Sequence, residues 1–153
     1  MEPVLFFLVG PLLKNRTGSF LPPLVRGAIG VIERGGRVLI TQRKRGAHLG
    51  GLWEFPGGKR RPGESVAACL RRELKEELGV RVRVGESLGN LCYDYPTRRV
   101  RLAVHRCTIV RGTPWVLDSA SLRWIPRARL ADVPFPPANV PLLHLLMRMP
   151  CSC

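Results

Sequence analysis

"GGKRRPGESVAACLRRELKEELGV", residues 57–80, places four glutamates and six arginines or lysines in one short stretch. Ser65 before the run and Gly79 after it are start and stop signals, and they predict a helix from about Ser65 to Leu78. At about 100° per residue, Val66, Leu70, Leu74 and Leu78 form a drifting apolar stripe, with Glu73, Glu76 and Glu77 in a roughly 100° arc beside it. Glu77 projects almost onto the stripe. Acids three and four residues apart repel, and acids near a helix C-terminus oppose its dipole. Arg71, Arg72 and Lys75 would neutralise a solvated face, with Arg72 and Glu76 as an ordinary i,i+4 pair. The sharper reading is a hard divalent cation such as Mg2+, which binds clustered carboxylate oxygens and removes their repulsion. Composition favours it: five of the chain's 11 acids (Glu54, Glu64, Glu73, Glu76, Glu77) fall between positions 54 and 77.

Outward from the helix, the 153 residues, 45% of them hydrophobic, suffice for one domain with a sizeable core. GAIGVIERGGRVLITQR gives two β-rich runs about the Gly35-Gly36 turn. VRVGESLGNLCYDYP and RRVRLAVHRCTIV read as two strands about a Pro-Thr turn, SLRWIP as a further strand and VPLLHLLMRM as a closing helix. The expected fold is α+β, an α/β/α sandwich in which helices cover a mixed, mostly antiparallel sheet. Residues 1–24 read as an N-terminal extension and linker, 25–149 as the domain and 150–153 as a tail. The apolar run Val4 to Val9 lacks the basic n-region and cleavage site of a signal peptide and is too short to span a bilayer.

The formal net charge of +14 predicts attraction to polyanions, whether nucleic acid, a nucleoside triphosphate or an anionic membrane surface. The five cysteines contain no CxxC, which points to neither a disulfide framework nor a zinc pair and suggests a reducing cytoplasm. Cys151 and Cys153 read as a frayed terminus rather than a metal site.

Gly58, Glu64, Arg72-Glu73-Leu74, Glu76-Glu77 and Gly79-Val80, at their spacing, resemble the complete Nudix box of the Nudix hydrolases. The surrounding ITQRKRGAHLGGLWEFPGGK and FPPAN (135–139) are similar to the MutT group, which hydrolyses oxidised purine nucleoside triphosphates such as 8-oxo-dGTP. The similarity runs from Gly27 to near Met149. It implies a Nudix-type sandwich and a Mg2+-dependent (or Mn2+-dependent) monomeric enzyme acting on a triphosphate, with no membrane and no stable nucleic-acid complex.

The resemblance also implies residue roles. Gly57, through its carbonyl, and Glu73, Glu76 and Glu77 would hold the metal, with Glu73 alternatively the general base. Glu64 and Arg72 would orient the helix and its carboxylates. Asp118 falls where the group has a loop glutamate that acts as ligand or base; its shorter side chain needs a closer loop or a water, and a turn-forming Asp is the plain alternative. Asn139 would read the base: oxidation at C8 turns guanine N7 from acceptor to N–H donor, which suits a side-chain carbonyl. The alternative for Asn139 is a cap on the last helix. Arg43, His48 and Arg98 resemble phosphate- and sugar-proximal contacts. Phe55, beside Glu54, would line the nucleotide pocket or belong to the core. The rival readings are another Nudix substrate (CTP, an ordinary dNTP, a nucleotide sugar) and a non-catalytic reader of 8-oxoguanine in DNA.

Overall fold

The computed structural model describes residues 13, 14 and 18–150. Two short strands, β1 (Leu13–Lys14) and β2 (Phe20–Leu21), pair with each other ahead of the main sheet. The stretch read as a linker thus carries a small ribbon of its own. The Val4 to Val9 run, Cys151 and Cys153 lie outside the described residues.

The main sheet is built from β3 (Leu24–Arg34), β4 (Arg37–Gln42), β5 (Trp53–Glu54), β6 (Gly57–Lys59), β7 (Arg81–Tyr95), β8 (Arg98–Arg111) and β9 (Ser121–Pro126). Its order is β5-β4-β3-β8-β7, with β6 added to β3 and β9 to β4. The β3–β8 pair is parallel and every other pairing in this sheet is antiparallel.

Side chains alternate across a strand, and on β3 this sends Ala28 and Ile32 to one face and Ile29 and Val31 to the other. On β4, Leu39 parts from Val38 and Ile40 in the same way. Both faces are therefore covered, which is why these strands read as nearly continuous apolar runs. The helix α1 (Val66–Leu78) covers the Ala28 face with Cys69, Leu70, Leu74 and Leu78. The helix α2 (Val140–Arg148) covers the other with Leu142, Leu143 and Leu146. Each fully buried leucine contributes roughly 2 kcal/mol.

The expected caps are present on α1. Ser65 Oγ accepts from the Ala68 amide at 3.1 Å, and Gly79, left-handed at φ 69°, donates its amide to Lys75. A side chain at Gly79 would strain that conformation.

One feature of the sheet positions the site. β3 and β4 pair only at Glu33↔Val38 and Arg34↔Arg37, beside their turn. Beyond it, β3 turns to β6 at residues 27–29 while β4 turns to β5 at 41–42. The two strands diverge as a fork, and the chain from Trp53 to Lys59 crosses the opening, fixed by the Gly30 amide donating to Pro56 O at 2.9 Å. Glu54, Phe55, Gly57 and Gly58 are thereby held in the middle of the molecule, facing the acids of α1 from one side and the Asn139 segment from the other. At the closed end, buried Arg127 donates to Met149 O (2.7 Å), Pro150 O (3.0 Å) and Glu33, tying the end of α2 to β3. Among the described residues no helix is long and apolar enough to cross a membrane.

Candidate active site

Arg72 organises the acidic face of α1. Its Nε and Nη2 donate to the two oxygens of Glu64, both at 2.8 Å, Nη1 donates to Glu73 at 2.6 Å, and Nη2 also reaches Lys59 O at 3.0 Å. The i,i+4 contact to Glu76 is the longest of its ion pairs, at 3.5 Å. Arg72 is a mostly buried clamp between loop and helix, not a neutraliser of a solvated face. A two-pronged guanidinium–carboxylate pair is strong because both planar groups match. The Arg72 hydrogen bonds hold the Glu64 carboxyl at about 2, and Glu64 with Glu73 raises the Arg72 value in turn. For Glu73 burial is the larger influence and pushes its carboxyl up against the opposing effect of Arg72.

Gly58 explains why a glycine pair stands opposite the helix. A Cβ there would lie 2.2 Å from the Glu73 carboxyl carbon, and one at Gly57 would lie 2.1 Å from Ala28 O. The backbone can come this close to the acids because no side chain intervenes.

Glu77 is the most constrained acid. It is 4% exposed and accepts the Gly57 amide at 3.3 Å. Burial raises its pKa well above the usual range, and the carboxylates of Glu54, Glu73 and Asp118 raise it further. Asp118 reaches this group because its loop is strapped to the end of α1: the Trp115 amide donates to Leu78 O (3.0 Å) and the Leu117 amide to Glu77 O (3.1 Å). Asp118 also accepts from Lys44 Nζ at 3.1 Å.

Among the described residues no three Asp, Glu, His or Cys side chains are already drawn together as a ligand set. Glu73 leans toward Arg72, and Glu76 stands at the rim beside Arg61, 3.8 Å away. The donor set nonetheless fits a hard divalent ion. A buried carboxylate with three other acids in its field and one long amide contact is under-compensated, and oxygen-rich clusters of this kind are what Mg2+ or Mn2+ bind. Glu73, Glu76, Glu77, Asp118 and the Gly57 carbonyl are the groups that would hold it.

Across the fork, Glu54 lies buried against Arg43, whose Nη1 donates to it at 2.8 Å and whose Nε donates to His48 O at 2.7 Å. Arg43 is 1% exposed, so its place is inside the wall of the site, bracing Glu54 and the 44–52 loop. Burial raises the Glu54 carboxyl, and Arg43 opposes this. Replacing Arg43 with Met is therefore expected to destabilise the fold by about 3–5 kcal/mol at pH 7 by stranding a buried carboxylate. The raised folded-state value of Glu54 sets the sign: the deficit is smallest below about pH 4.3, where glutamate is protonated in both states, and grows as pH rises. Urea midpoints across that range check it.

Burial, Arg98 and Arg43 together lower the His48 pKa, so these three predicted residues share one electrostatic neighbourhood. Tyr95 stands edge-on to His48 at 6.2 Å, with its buried hydroxyl near the Ala138 backbone. It joins the His48 and Asn139 segments, and the sequence reading missed it because a tyrosine at a strand end carries no distinguishing pattern.

Asn139 is 6% exposed at the N-terminal position of α2 but makes no side-chain cap. Its Oδ1 is buried without a hydrogen-bond partner among the described residues. It faces a cavity of about 10 Å³ lined by Ile29, Glu54, Phe55, Val100 and Leu102. Phe55 stacks on Phe135 at 5.3 Å, which makes it both core and pocket wall. The cavity is at the lower limit for one water and is too small for a nucleobase as it stands. Cys69 sits behind the acids, buried, with its thiol pushed up to about 12 by burial and by Glu64 and Glu73, too high for an active thiolate.

Comparison with known proteins agrees with this geometry. The NUDIX domain family matches residues 28–145. A CTP pyrophosphohydrolase of Escherichia coli K12 is 35% identical over 119 residues, 78% of this chain and 88% of that protein. A putative 8-oxo-dGTP diphosphatase 2 of Mycobacterium tuberculosis is 41% identical over 113 residues, 72% of this chain and 79% of that one. The crystal structure of a MutT NUDIX hydrolase from Burkholderia pseudomallei superposes with a TM-score of 0.70 at 28% identity, covering 79% of this chain and 96% of the other. With a sandwich of this type, the box residues assembled around Arg72 and a family match across most of its length, the chain belongs to the NUDIX domain family of hydrolases.

Proposed function

We propose that this chain is a pyrophosphohydrolase that cleaves nucleoside triphosphates carrying an oxidised purine, such as 8-oxo-dGTP, to the monophosphate and pyrophosphate. Residues 25–149 form the catalytic unit, acting as a monomer. One water is consumed and the phosphoanhydride link between the α- and β-phosphates is broken. Glu73, Glu76, Glu77, Asp118 and the Gly57 carbonyl would hold Mg2+ or Mn2+, which would supply Lewis-acid stabilisation of the charge that develops on the phosphates.

The chain's own groups do the rest. Arg72 and Glu64 fix the acids in place, so little reorganisation is needed as charge develops. Glu73 has a second role open to it in place of metal ligand: its carboxyl, raised by burial, would take the proton of the attacking water. Arg98 and His48 lie toward the phosphates and sugar, while Phe55 and Phe135 shield the base from water.

The observation that carries the substrate reading is the unpaired, buried Oδ1 of Asn139. An acceptor in an apolar wall gains from the N7–H of an 8-oxopurine and faces a lone pair on the ordinary base. Kinship with a CTP pyrophosphohydrolase supports a second reading, in which the same oxygen accepts from the cytosine amino group. Pyrophosphate release from 8-oxo-dGTP, dGTP, CTP and a nucleotide sugar, measured side by side, separates the two. Preference for 8-oxo-dGTP over dGTP supports the first, and preference for CTP replaces it.

A further inference from the structure

On the outer flank of α1, away from the base pocket, an open groove of about 680 Å³ runs between the helix and the ends of β7 and β8. Its walls carry Arg71 and Lys75 from the helix and Arg81 and Arg111 from the strands, and Val82, Val110 and the clamping Arg72 also line it. Arg71 and Lys75 are one helical turn apart, and Arg81 and Arg111 are directly opposite in the antiparallel register. Like charges in either arrangement repel. Here the two pairs face the same space. No carboxylate lines the groove, and none of the four makes an ion pair among the described residues. Glu73 and Glu76 of α1 are engaged by Arg72 and Arg61 instead.

We propose that this groove holds the phosphodiester backbone of a nucleic acid. Three of the four cations are arginines, whose planar forks match phosphate oxygens. The net charge of +14 draws the chain to the densest polyanion available, and duplex DNA carries about one charge per 1.7 Å. No aromatic side chain lines the groove, so the contact is to the backbone and reads no base. This departs from the expectation of no stable nucleic-acid complex. The groove borders the acidic site through Arg72 but shares no residue with the base pocket, and the four cations Arg71, Lys75, Arg81 and Arg111 are not among the proposed catalytic groups.

The test is fluorescence anisotropy with a labelled 20-base-pair DNA duplex over a salt series. It compares the wild-type chain, the double variant Arg81→Gln/Arg111→Gln, the helix-side variant Arg71→Gln/Lys75→Gln, and a control of equal charge loss elsewhere, Arg37→Gln/Arg148→Gln. Each groove variant is expected to bind at least about tenfold more weakly near 0.1 M salt, with the slope of log K against log salt shallower by about 2. The control is expected to shift less than about twofold at the same salt. Thermal midpoints of the groove variants are expected to hold or rise, because repulsion is relieved. Absence of wild-type binding at low salt, or equal weakening in the control, overturns the proposal. So does a lowered midpoint in the groove variants, which would make these arginines structural. Equal affinity for poly-glutamate would assign the groove to an acidic protein segment instead, and tighter binding of an 8-oxoguanine duplex would move the contact to the base pocket.

Discussion

Glu77→Gln is expected to lower kcat with saturating Mg2+ by about 10³-fold, while the metal-free protein keeps or gains thermal stability. The two halves have one cause. Glu77 is buried beside Glu54, Glu73 and Asp118 with a single long amide contact, so its ionised form is disfavoured until a cation arrives. An amide of the same shape removes that strain and also removes the ligand. Linkage fixes the pH dependence. The folded-state pKa of Glu77 lies above its unfolded value, so its contribution to stability is full below about pH 4.3 and is lost as pH rises through the folded value. The variant lacks this loss, so the two metal-free stability curves separate as pH rises, with the variant higher. Mg2+ is expected to raise the wild-type midpoint and leave the variant's unmoved. A variant that keeps most of its activity, or is destabilised equally with and without metal, contradicts the assignment. Glu64 behaves oppositely: Arg72 holds its carboxyl at about 2, so its contribution is present above the ordinary glutamate value and lost as pH falls toward 2.

Asn139→Ala is expected to reduce the preference for 8-oxo-dGTP over dGTP, as the ratio of kcat/KM values, by about 10²-fold. Most of the change should come from 8-oxo-dGTP, which loses an acceptor matched to its N7–H. Because Asn139 makes no cap on α2, the substitution removes no helix-end hydrogen bond. Truncating a buried acceptor that has no partner should leave the unfolding midpoint within a few degrees. Unchanged selectivity with an unchanged midpoint would assign base recognition elsewhere. A large drop in midpoint with proportional loss on both substrates would make Asn139 a packing residue.

Much of this architecture is legible in the chain. α1 is marked by its apolar stripe and both caps, and the β3–β4 turn by its two glycines. β9 and α2 emerge because their runs are bounded by loops and prolines. The acid cluster stands out because acids are scarce in so basic a chain. The fork between β3 and β4 is not legible, since it depends on the short strands β5 and β6 inserting between longer ones, and no periodicity within two or three residues announces that. The burial of Arg43 is equally hidden: among 25 lysines and arginines, one held inside by Glu54 has no local mark. Asp118 was identified by resemblance alone, and its closeness to Glu77 comes from backbone hydrogen bonds of the 115–117 segment that any sequence could make. Box residues and element types are local properties. Which of them meet is decided by strand pairing at a distance.

Calorimetric titration of the folded protein with Mn2+ or Mg2+ near pH 7, in two buffers of different ionisation enthalpy, tests the central claim most directly. Binding is predicted, with a proton release that grows as pH is lowered, because a carboxyl whose value burial has raised must deprotonate to become a ligand, and both signals should vanish in Glu77→Gln. No binding to the wild-type protein with or without nucleotide, or binding that Glu77→Gln leaves intact, would contradict it.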